Sequence, residues 1–137
     1  MKRLLCFLLL TPISCSALTE STGVPASVSQ IKTEVVNGQV VRIVQHNMEL
    51  NPIIQFEILS RPNFNPIETL TVKELPYNNQ ELSLSKSSGA FVEDVFLNGS
   101  SIEFTIEYFY VEGGSVMLSC EIPVSKNHFD PLQCHKK

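Results

Sequence analysis

Apolar and polar residues alternate at a spacing of two through most of this chain, the pattern of strands that bury one face and wet the other. In residues 31–36, Ile31, Thr33 and Val35 share one face while Lys32 and Glu34 share the other. Asn37-Gly38 follows. That pair supplies the two positive-φ residues that a two-residue hairpin turn requires. Residues 39–45 then carry Val40, Val41, Ile43 and Val44, a β-branched run suited to a strand. Ile54, Phe56 and Ile58 alternate with Gln55 and Glu57 across 53–59, between the breakers Asn51-Pro52 and Arg61-Pro62. In 67–75, Leu70 and Val72 alternate with threonines. Glu and Leu there also tolerate a helix, but the threonines and the flanking Pro66 and Pro76 favour a strand. Leu82 and Leu84 mark a short strand over 81–86.

The last third reads as a three-strand meander over 90–97, 102–111 and 116–124, with Asn98-Gly99 and Gly113-Gly114 in its turns. Ile102, Phe104, Ile106 and Tyr108 face one way, Glu103, Thr105 and Glu107 the other. Val116, Leu118, Cys120 and Ile122 share a face, which aims Cys120 at the core. About seven or eight short strands without an amphipathic helix predict an all-β fold, an antiparallel β-sandwich or small barrel. An immunoglobulin-like topology is allowed. Its core tryptophan is missing, because the chain contains no Trp.

The N-terminus breaks this pattern. Lys2 and Arg3 precede the apolar run Leu4 to Leu10. Thr11-Pro12 ends that run, and Ser14-Cys15-Ser16-Ala17 offers small residues before a cut. Residues 1–17 therefore read as a signal peptide. Residues 18–30 read as a flexible lead, small and polar, and 31–137 as a single sandwich domain. No later stretch approaches the roughly 18 apolar residues of a membrane helix. The expected location is periplasmic or secreted. Lipidation at Cys15 is an alternative, although the leucine usual three residues before such a cysteine is replaced by Pro12.

Export gives the remaining cysteines a meaning. Cys120 and Cys134 are the two left for pairing, and in an oxidising compartment they predict one disulfide that pins the tail onto the strand carrying Cys120. A loop of about 15 residues closed this way is worth roughly 3 kcal/mol in the chain-entropy account. Metal ligation by Cys120, Cys134 and His135 fits less well, since zinc sites use short paired spacings.

The full chain carries 10 basic and 14 acidic residues, a net charge of −4. Loss of Lys2 and Arg3 leaves 8 against 14, or −6. Such a surface repels phosphate backbones and excludes nucleic acid as a natural partner. No Gly-x-Ser-x-Gly elbow, phosphate loop or His-Glu-x-x-His pair occurs, and no motif implies a cofactor. Glu103 and Glu107 stand on the outward face of one strand, as solvated carboxylates do. Asn98-Gly99-Ser100 fits a glycosylation pattern that a tight turn explains as well. Tyr108-Phe109-Tyr110 places aromatics on both faces of the middle strand. Either the tail covers the outer side with Phe129, or Phe109, Tyr110 and Phe129 form an interaction surface. The expectation is an exported, non-enzymatic binding module with a protein or glycan partner. The alternative is a small copper-handling protein using His46, Met48 and His135.

Overall fold

A computed structural model describes residues 23–137. The expected leader, Cys15 and the start of the lead lie outside those residues. About two thirds of the described residues are strand, and the rest are turns, loops and a 3-10 turn at Leu84–Lys86. The first sheet is antiparallel in the order β1 (Val28–Val36), β2 (Gln39–His46), β3 (Ile54–Leu59) and β4 (Pro66–Val72). A separate hairpin follows, β5 (Glu74–Tyr77) with β6 (Gln80–Ser83). The second sheet runs β7 (Gly89–Asn98), β8 (Ser101–Phe109) and β9 (Ser115–Ser125). The far edge of β9 is closed by two short tail strands, β10 (His128–Phe129) and β11 (Gln133–Lys136).

The all-β sandwich holds. Val41, Ile43, Phe56 and Ile58 from the first sheet are buried with Ile102, Phe104, Ile106, Leu118 and Ile122 from the second. Phe56 lies at the centre, its ring 5.8 Å from Phe104 and 6.4 Å from Phe129. Each fully buried Leu, Ile or Phe of this kind contributes roughly 1.5–3 kcal/mol by leaving water. Leu75 and Leu84 close one side of the core from the connecting segment.

The chain completes one sheet before it starts the other. An immunoglobulin-type order, which alternates between sheets, is not adopted. The hairpin at Asn37-Gly38 is present, with φ of 47° and 74° at the two central residues. It also ties the sheets together: Asn37 N–H donates to Gly99 O, and its Nδ2 donates to Val124 O at 2.8 Å.

Four features depart from the sequence reading. First, β1 begins at Val28, so the end of the expected lead is strand. Second, β1 turns its apolar side chains outward: Ile31 and Val35 are exposed, while Lys32 and Glu34 face inward and pair with each other. The two-residue turn is the cause. It sets Glu34 opposite Val41 and Lys32 opposite Ile43, and those two must face the core. Third, the stretch 67–75 is split. β4 ends at Val72 and β5 belongs to another sheet, turned back by Asn78 and Asn79, both at positive φ. Fourth, β7 carries a bulge between Val92 and Asp94. The extra residue, Glu93, lets both Val92 and Val95 face inward, although they are three apart.

Candidate functional site

Among the described residues, β1 is hydrogen-bonded only to β2, and β7 only to β8, so each leaves one edge unpaired. The opposite side of the sandwich is closed, since β4 approaches β10 and Glu68 accepts from His128 there, at 2.9 Å. The open edges therefore share one lateral side. A cleft of about 760 Å³ lies at one end of it, between Ser29 of β1, residues 45–49 at the end of β2 and just beyond it, and Ala90, Phe91 and Val92 of β7.

His46 ends β2 at the wall of this cleft and is 8% exposed. Its Nδ1 lies 3.1 Å from Ser27 Oγ and 3.2 Å from Asn51 Nδ2. With the amide donating, Nδ1 accepts and the ring proton sits on Nε2, which is buried without a hydrogen-bond partner. This is not the geometry of an activated serine. A base that drives a nucleophile uses one ring nitrogen for the hydroxyl and the other for an orienting acid. Here both neighbours share one nitrogen. The cluster instead clamps the chain entering β1 to the loop leaving β2, helped by Asn47 N–H donating to Ser27 O. Sequence reading singled out His46 but not Ser27 or Asn51, because a contact across 19 positions leaves no local signal.

Met48 borders the same cleft and packs on the core. His135 does not join them: it stands on β11, at the opposite edge of the second sheet from β7. No group of three or more His, Cys, Asp or Glu side chains able to hold a metal occurs among the described residues. His128 is exposed and pairs with Glu68.

The disulfide joins Cys120 and Cys134, which sit directly opposite each other on β9 and β11 with Cα atoms 4.1 Å apart. Cys120 faces the core, as its strand pattern requires, and is 1% exposed. The bridge holds the tail against β9, and β11 in turn lies beside β5.

The three aromatics of the expected surface separate. Phe129 is buried in the core against Phe56 and does not cover the outer face. Phe109 is covered from another side, by Phe91 of β7 in an edge-to-face pair at 5.8 Å. Tyr110 stacks edge-on against Tyr108 at 5.2 Å. Tyr108 is buried and donates to Ser83 O at 3.1 Å. Burial pushes its phenol above the usual 10, and the neighbouring Tyr110 and Glu112 add to that.

The outer face of the second sheet is acidic and aromatic together. Phe91, Asp94 and Phe96 project from β7, Glu103 and Glu107 from β8, and Glu121 from β9. Phe91 is 61% and Phe96 57% exposed. None of the four carboxylates makes an ion pair among the described residues. Glu103 accepts from Asn98 Nδ2 and Glu107 from Ser115 Oγ, each at 2.8 Å. Glu103 and Glu121 are cross-strand partners, a like-charged arrangement that disfavours the fold. Sequence reading had Glu103 and Glu107 on this face. It missed Phe91 and Phe96 as their companions, because the bulge changes the phase of β7.

No known family matches the chain, and neither a curated protein nor a solved structure matches it.

Proposed function

We propose that this chain is an exported, non-enzymatic binding module of the cell envelope or secreted space, engaging a protein or glycan partner through a free strand edge. The observation that carries the reading is the pair of edges, β1 and β7, left unpaired among the described residues on one lateral side of the sandwich. Each presents a row of unused backbone donors and acceptors, the groups that strand addition recruits. Export is supported by the Cys120–Cys134 disulfide, a bond that persists in oxidising compartments. It is also compatible with the fact that no helix among the described residues is long and apolar enough to cross a membrane.

A photo-crosslinking amino acid placed at Thr33 on β1, Asp94 on β7 and Lys126 in the β9–β10 turn tests the reading in the native compartment. The expected outcome is one discrete adduct from an edge position, absent from Lys126. No adduct from either edge, or the same adduct from all three positions, overturns it.

A further inference from the structure

We propose that the β7 edge takes up an extended polypeptide in which cationic and apolar side chains alternate; this rests on the strand-addition reading above. β7 spans ten residues, so about 33 Å of edge is available to a partner strand. A strand laid along it would continue both faces of the second sheet. Side chains on its inner face would lie beside Val92, Val95 and Leu97, which are half-buried at the open side and pack on the core. That row calls for apolar partners. Side chains on its outer face would lie beside Phe91, Asp94 and Phe96, with Glu103, Glu107 and Glu121 on the strands behind. That row calls for cations. A lysine or arginine there lies beside Asp94 and faces Glu103 and Glu107 one strand further on, carboxylates without ion-pair partners among the described residues, and can rest on an exposed phenylalanine face.

Two comparisons within the molecule sharpen the choice. The β1 edge offers no such selection, because Lys32 and Glu34 neutralise each other and its outward row is Ile31, Thr33 and Val35. A second copy of this chain is also a poor occupant of β7. Edge-to-edge pairing would bring Glu93 and Asp94 of both copies together, and charged residues and a bulge on an edge oppose self-association. The features that keep β7 from pairing with itself are the same ones that favour a basic strand.

The test uses the disulfide-bonded chain and three nine-residue peptides: alternating Lys and Val, alternating Glu and Val, and a block peptide with the lysines at one end and the valines at the other. Binding is followed by amide chemical shifts at 50 mM and 500 mM salt. The alternating Lys/Val peptide should shift amides of residues 89–98, bind at least tenfold tighter than its Glu/Val counterpart, and weaken at high salt. In the Asp94→Lys/Glu103→Lys double variant, at one exposed and one half-buried position of the outer face, the preference should reverse. Equal binding of the Lys/Val and Glu/Val peptides at β7 overturns the charge inference and leaves strand addition standing. Equal binding of the block peptide, or shifts on β8 and β9 without β7, shows unspecific attraction to the acidic face and also overturns it. If no peptide perturbs β7, strand addition at this edge fails as well.

Discussion

On the outer face of the first sheet, Glu57 is only 6% exposed, and its charge is met by Arg42 on the neighbouring strand. Arg42 Nε and Nη2 both reach Glu57 Oε2 at 2.5 Å, and Gln55 Nε2 donates to Oε1 at 2.7 Å. Replacing Arg42 by Met keeps the apolar stem and removes the charge. Breaking a fully buried pair costs about 3–5 kcal/mol, and an exposed pair about 0–1. Arg42 is 34% exposed at its side chain and Gln55 remains on Glu57, so the case lies between. We expect Arg42→Met to destabilise by about 2 kcal/mol, chiefly because a buried carboxylate is left without its cation. Glu57→Leu alone should cost less, about 1 kcal/mol, since the freed guanidinium can turn to water. The double variant should recover to within about 1 kcal/mol of the parent, because Val40, Val44 and Leu59 flank the site and accept an apolar pair. Urea unfolding reads these differences as midpoint shifts of about 1 M for 2 kcal/mol, given slopes of about 1–3 kcal/mol/M for small domains. If Arg42→Met unfolds at the parent's midpoint, or if the two single effects simply add, Glu57 is not held by its partner and the reasoning fails.

Further outcomes follow from other sites. Cys134→Ser should lower stability by about 3 kcal/mol in urea melts, and the parent under reductant should behave the same way; matching midpoints would mean that packing alone holds the tail. Phe129→Ala should cost about 3–5 kcal/mol, because the ring is buried against Phe56. A loss under 1 kcal/mol would show that the tail does not complete the core. Tyr108 keeps its proton more tightly when folded, so its share of stability is intact below about pH 10 and declines as pH rises beyond that. Melting temperatures from pH 8 to 11 should therefore fall more steeply for the parent than for Tyr108→Phe. Parallel profiles would remove Tyr108 as the cause.

Much of the architecture was legible because local rules governed it. Asn37-Gly38 made its turn, the last three long strands formed their meander, and Cys120 pointed inward because its strand alternates without interruption. Where local and long-range demands conflicted, the sequence misled. The apolar row of β1 pointed to a core-facing Ile31 and Val35, but the turn coupled that strand to Val41 and Ile43, whose burial decided the register. In β7 the run Phe91-Val92-Glu93-Asp94-Val95-Phe96 contains no clean period of two, and the bulge that reconciles it depends on pairing with β8. The candidate site suffered most. His46 was visible as a residue, yet its clamp depends on Ser27 and Asn51, and the acidic, aromatic outer face emerges only when β7, β8 and β9 lie side by side.

The sequential layout of the two sheets also bears on biosynthesis. All four strands of the first layer are made, with their hydrogen-bonding partners, before Gly89 leaves the ribosome. Their contacts are short in sequence and quick to form, but Val41, Ile43, Phe56 and Ile58 then have nothing to lie against until some thirty further residues arrive. A nascent chain at that length exposes one greasy surface on an otherwise ordered ribbon, the state most prone to clumping and most in need of a holding chaperone. The polypeptide is vulnerable in the middle of its synthesis, and the second layer ends that interval.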